Sequence, residues 1–179
     1  MSRAIYWYRN IRTKQVLVST ENSVLARPAL VKGQIRPNLR PSVLRPDHWK
    51  PALVADGFDT QRAHDNIFTM ASQPGHPLVS PSAADIKKYT LLPNTRKRLV
   101  DMDMLEGKIA QLARIFVYMD AMKSASIPEK NAIRLFWEDR SWIEAVEAAG
   151  LNWPEWVQHC DLEVKRGSII INKELRETS

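Results

Sequence analysis

The chain has 179 residues, 44% of them hydrophobic and 26% charged, enough apolar content to bury a core in one domain. A single cysteine, Cys160, excludes an intrachain disulfide and a thiolate metal cluster, and no apolar run approaches the length of a membrane helix. The formal net charge of +6 is unevenly spread: residues 1–50 hold ten Lys and Arg against Glu21 and Asp47, while the remainder is slightly acidic, so the basic face belongs to one end and suits an acidic polymer, nucleic acid before membrane.

Ala4–Tyr8 and Gln15–Ser19 are short β-branched and aromatic runs, predicted as an antiparallel hairpin around the loop RNIRTK. Arg9, Arg12 and Lys14 sit at that tip, which either extends the basic surface or is an ordinary polar turn.

Residues 26–51 follow a regular pattern. Basic residues recur every four or five positions, at Arg27, Lys32, Arg36, Arg40, Arg45 and Lys50, and all but Lys32 precede a proline. Proline lacks an N–H and biases the preceding residue away from the helical region, which predicts an extended arm with splayed cations and no helix. Leu30, Val31, Ile35, Leu39, Val43, Leu44 and Trp49 are interleaved with the charges, so the arm packs on something rather than acting as a linker. Its expected role is to lie along nucleic acid, with cations displacing counterions from phosphates. His48, Trp49 and Lys50 end the arm, and Trp49 is the tryptophan best placed to stack on an unpaired base.

A third strand is predicted over Trp49–Ala55, then a helix capped by Asp59 or Thr60 and running to about Ser72. Gln73–Pro81 breaks the chain, and Ser82 starts a short helix containing Lys87 and Lys88. Arg96, Lys97 and Arg98 form a second basic cluster, read either as a solvated helix start or as a phosphate contact. Leu99–Met122 carries apolar residues at helical spacing and is predicted as the longest helix, with Gly107 marking a close approach. Ile133–Trp137 reads as a strand, and Ser141 with Glu144 has the spacing of a capping box for a helix ending at Gly150. Leu162–Val164 and Ser168–Asn172 suggest a closing hairpin or last strand.

Enzyme signals are weak. No phosphate-cradling glycine loop, nucleophile elbow or dinucleotide fingerprint occurs, and His159 beside Cys160 makes a poor zinc pair. Asp47 with Glu163 and Lys165 resembles a nuclease constellation only at the level of short, frequent matches. The expectation is a non-enzyme without cofactor or metal. Its fold class is α+β: one domain over residues 1–179, with a small antiparallel or mixed sheet, packed helices and residues 26–51 as an extended basic arm inserted between strands.

IYWYRNI at Ile5–Ile11, QVLVS at Gln15–Ser19, the Arg-Pro steps at Arg36–Asn38 and Leu44–Lys50, and LFWEDRSW at Leu135–Trp142 together resemble a fungal mitochondrial family. Its members are large-subunit mitochondrial ribosomal proteins, also known as mitochondrial homologous recombination and transcription-regulation proteins. The resemblance implies a mitochondrial matrix protein bound to ribosomal RNA and neighbouring ribosomal proteins, with mitochondrial DNA as the alternative partner. It carries Arg9, Arg36, Arg45 and Lys50 over as nucleic-acid contacts.

Overall fold

The computed structural model describes residues 3–23, 28–41, 43, 45–122, 133–165 and 168–170. Its centre is a five-stranded sheet in the order β2-β1-β3-β4-β5, built from β1 (Ile5–Asn10), β2 (Val16–Ser19), β3 (Trp49–Asp56), β4 (Ile133–Trp137) and β5 (Val157–Asp161). The first three pairings are antiparallel and β4 with β5 is parallel, so the sheet is mixed and the fold α+β.

The Ile5–Tyr8 part of β1 is an unbroken apolar run because it is buried on both faces. Ile5 and Trp7 point to one core, shared with Val16, Val18, Leu53 and Leu135. Tyr6 and Tyr8 point to the other, shared with Leu17, Val54 and Phe136. This is the alternation of a strand with a partner on each side. The first core is covered by α2 (Gln61–Ser72), α5 (Leu105–Ala121) and α6 (Ser141–Ala148), through Ile67, Ile109, Leu112, Phe116 and Val146.

The second core is covered largely by the predicted arm. Pro28–Gln34 forms a helix, α1, where an extended, helix-free backbone was expected. Proline stands only at its first position, where a missing N–H costs no intrahelical bond. Val31 and Ile35, one helical turn apart, then drop into the sheet face and are 8% and 3% exposed. The next Arg-Pro steps likewise open short 3-10 turns, at Pro37–Leu39 and Pro46–His48. The repeat therefore punctuates a folded segment. Gln34 fastens it to the sheet: its Nε2 donates to the Val18 carbonyl at 2.7 Å, and the Val18 N–H donates to its Oε1 at 2.8 Å. One side-chain amide thus pairs part of the free edge of β2, where unpaired backbone is otherwise a template for aggregation.

The expected long helix is two. α4 (Asn94–Met102) stops at Asp103 and α5 begins at Leu105, because the β1–β2 loop holds the junction. The Met104 N–H donates to the Lys14 carbonyl at 3.3 Å, and Lys14 Nζ lies 3.3 Å from Asp103. α3 (Ala83–Leu91) precedes them, capped reciprocally by Ser82 and Asp85. Gly107 does mark a close approach: a Cβ on Gly75 would collide with the Gly107 carbonyl. Next to it Lys108, 1% exposed, donates from Nζ to the Ala71 carbonyl at 2.8 Å and to that of Gln73, closing the C-terminal end of α2. Burial without a carboxylate pushes its amine down to about 8.

Two further expectations are corrected. Ser141 does not cap α6 from its hydroxyl; Arg140 is the capping residue, and the Asp139 carboxylate accepts the Ser141 N–H at 2.9 Å. β5 was not foreseen, since half its residues are polar and its partner β4 lies across α6. The closing hairpin is a separate two-stranded sheet, β6 (Glu163–Lys165) with β7 (Ser168–Ile170). Asp56 and Arg134, opposed on β3 and β4, form a buried ion pair at 3.1 Å.

Candidate nucleic-acid interface

The basic surface is assembled around the β1–β2 loop. Asn10, buried at its base, accepts the N–H groups of Arg12 at 2.9 Å and Thr13 at 3.0 Å on its side-chain oxygen. The Lys14 N–H donates to the Asn10 carbonyl at 2.8 Å, and Lys14 itself takes a left-handed conformation at φ 60°. Such a turn is tight. It spends the N–H groups of Arg12, Thr13 and Lys14 within the loop and leaves the Arg12 and Lys14 side chains exposed.

β3 brings in the end of the 26–51 segment. Arg9 sits opposite Lys50 and Asn10 opposite Trp49, and the Ile11 N–H donates to the His48 carbonyl at 2.8 Å. Gln15 Nε2 donates to the Leu39 carbonyl at 2.8 Å, which holds Arg40 near the same end of the sheet. Arg9, Arg12, Lys14, Arg40, Arg45, His48 and Lys50 are thereby gathered from two stretches about thirty residues apart in the chain. Lys32 and Arg36 are exposed on and just beyond α1, while Arg27 lies outside the described residues.

Not all of these cations face outward. Arg40 turns back, donating from Nε to the Ile35 carbonyl at 2.9 Å and from Nη2 to that of Lys32 at 2.5 Å, where it closes the C-terminus of α1. Arg45 grips Asp47 with two bonds of 3.2 and 3.0 Å, which holds that carboxyl below its usual range. The carboxylate considered for a nuclease site is thus engaged by its own neighbour. Arg9 is half-buried, and its Nε finds no acceptor among the described residues. Trp49 is only 7% exposed and packs in the second core, so little of its ring is open for a base to stack on.

Two hollows adjoin the cations. A recess of about 140 Å³ is lined by Arg9, Ile11, Lys50 and Glu138. A groove of about 590 Å³ runs beside it, between Pro46–Pro51 and the strand that carries Val164, with Glu138 again in its wall. Glu138 arrives because its N–H donates to the Ala52 carbonyl at 3.0 Å, one step beyond the Leu53–Trp137 pairing. In the sequence Glu138, paired with Asp139, reads as a helix cap rather than a metal ligand. Asn10 had a site signal, an Asn opening a polar loop; Gln34 had none, because only tertiary contact gives its amide a strand to pair with.

Across the sheet, His159 Nδ1 accepts the Trp137 indole N–H at 2.9 Å, and the imidazole packs against the Trp153 ring. Burial, then repulsion from Arg140, pushes its pKa down to about 4, so it is a neutral packing group at physiological pH.

The family described as Mhr1, transcriptional regulation of mitochondrial recombination, matches residues 2–71, the part that carries β1–β3, α1 and all of the cations gathered here. The chain is also 30% identical over 172 residues, 92% of its own length and 89% of the relative's, to the large ribosomal subunit protein mL67 of Schizosaccharomyces pombe.

Proposed function

The chain belongs to the Mhr1 family, whose model matches residues 2–71, and is related to mL67 over nearly its whole length; from that premise we propose that it is a structural constituent of the mitochondrial large ribosomal subunit. It works without catalysis. The observation that carries this reading is similarity over almost the full length of a protein named as a large-subunit component, so that body and basic end are shared together. The cations around the β1–β2 loop and α1 lie on ribosomal RNA phosphates in the matrix, and the rest of the body meets neighbouring ribosomal proteins. Phosphate contact by a rigid, sheet-mounted set of Lys and Arg positions a protein on folded RNA without reading its sequence.

The family description favours a second reading, mitochondrial DNA as the polyanion on the same face in recombination or transcription. One experiment addresses both. A tagged chain is sedimented from mitochondrial lysate in magnesium, beside the variant Arg12→Glu/Arg36→Glu/Lys50→Glu, which leaves Arg40 at its structural post. The parent is expected to run with the large subunit through moderate salt and the variant to leave it. A folded variant that stays as firmly as the parent rejects the proposed face, and a parent that runs free of ribosomes until DNase treatment shifts it favours DNA.

A further inference from the structure

α3 and α4 are assembled inside out. Each has nine residues, about 13 Å of helix, well below the length at which an isolated helix holds in water. What joins them is polar: the Tyr89 hydroxyl donates to Asp101 Oδ1 at 2.8 Å, and Lys97 Nζ stands 5.9 Å from the Tyr89 ring centroid. Met102 alone in the two helices is buried. The large aliphatic side chains point away from the protein, with Ile86 55%, Leu91 75%, Leu99 57% and Val100 53% exposed. A cluster of exposed aliphatics on two short helices is the pattern of a surface that is covered in use.

The charges around it are mostly positive. Lys87, Lys88, Arg96, Lys97 and Arg98 outnumber the exposed Asp85, which sits in the capping box with Ser82, and Asp101, which accepts the Tyr89 hydroxyl. The cations alternate with the aliphatics: Lys87 is one helical turn from Leu91, and Arg96 one turn from Val100. Phosphates would satisfy the cations and leave the aliphatics in water. A protein surface that is apolar within and anionic at its rim satisfies both.

We propose that α3–α4 is a docking surface for a protein partner that presents an apolar groove rimmed by carboxylates. This goes beyond the ribosomal reading and holds wherever the partner resides. It predicts that Leu91 and Val100 enter the groove while Lys87, Arg96 and Arg98 meet its rim.

To test it, Leu91 and Val100 are replaced one at a time by the photo-cross-linking residue p-benzoylphenylalanine in the full chain, and intact cells are irradiated. Adducts are treated with nuclease and mapped by mass spectrometry. Both positions are expected to give nuclease-resistant adducts to the same partner segment, one that combines aliphatic residues with Asp or Glu. Adding Lys87→Glu/Arg96→Glu/Arg98→Glu should lower the yield about tenfold, while the thermal midpoint of the isolated protein stays that of the parent. Adducts destroyed by nuclease would reassign the surface to RNA. No adduct from either position, or protein adducts indifferent to charge reversal in a variant with the parental midpoint, would overturn the proposal. Whether the adduct sediments with the large subunit tests the ribosomal reading separately.

Discussion

The molecule carries two basic regions that treat their apolar residues in opposite ways. Around the β1–β2 loop and α1, Val31, Ile35 and Trp49 go into the second core, and Arg12, Lys14, Lys32, Arg36 and Lys50 are left outside on a rigid base. In α3–α4 the polar Tyr89–Asp101 bond lies between the helices, and Ile86, Leu91, Leu99 and Val100 lie outside with the cations. The first region is largely finished without a partner: apart from Ile11 and Val43, what it offers is charge. The second is unfinished, offering charge and apolar surface together, and this separates a phosphate-binding face from a protein-binding one although their compositions are similar.

Substitutions can break that contrast at several strengths. The largest effect is expected inside the sheet: Arg134→Ala removes one side of the buried Asp56–Arg134 pair and should cost about 3–5 kcal/mol, read as a fall in the urea midpoint of the free protein. Ile35→Ala tests whether the basic segment folds on its own body. Loss of the buried side chain should cost about 2–4 kcal/mol in the free chain, and an unchanged midpoint would mean that α1 docks only on a partner.

Lys108 sharpens the contrast from the core side. Its amine titrates near 8 in the folded state against 10.5 in the unfolded one, so between these values the unfolded chain binds more protons and stability rises with pH. Relative to Lys108→Met, the parent should gain up to about 3 kcal/mol between pH 8 and 10.5, measured by denaturation at each pH. The smallest effect is expected in α3–α4, where Leu99→Ser/Val100→Ser should move the free protein's stability by no more than about 0.5 kcal/mol. A large loss there would show that those side chains already serve the fold.

Much of this was legible before any coordinates. The runs at Ile5–Tyr8, Val16–Val18 and Ile133–Trp137 are strands because a period of two with both faces buried leaves little room for polar residues, Arg134 being admitted through its pair with Asp56, and that pattern is local. The caps at Thr60 and Ser82 were visible for the same reason, since a hydroxyl reaches a backbone N–H three residues on. The charge asymmetry, too, is a property of the chain alone.

What local pattern could not supply is where each segment lands. The proline repeat predicts extended backbone residue by residue, yet Pro28 at a first helical position and Val31 and Ile35 on one face make a helix once a sheet lies beneath them. The break between α4 and α5 comes from Lys14, some ninety residues earlier, and β5 from parallel pairing across α6. Arg40 and Arg45 read as free cations in sequence, but α1's last carbonyls and Asp47 take up their donors. The sequence by itself determined β1 to β4, the caps at the starts of α2 and α3 and the sign of the basic end, because each depends on neighbours in the chain. Only the tertiary structure decided which cations remain for a ligand and which aliphatics remain for a partner, because both depend on what the rest of the fold has already covered.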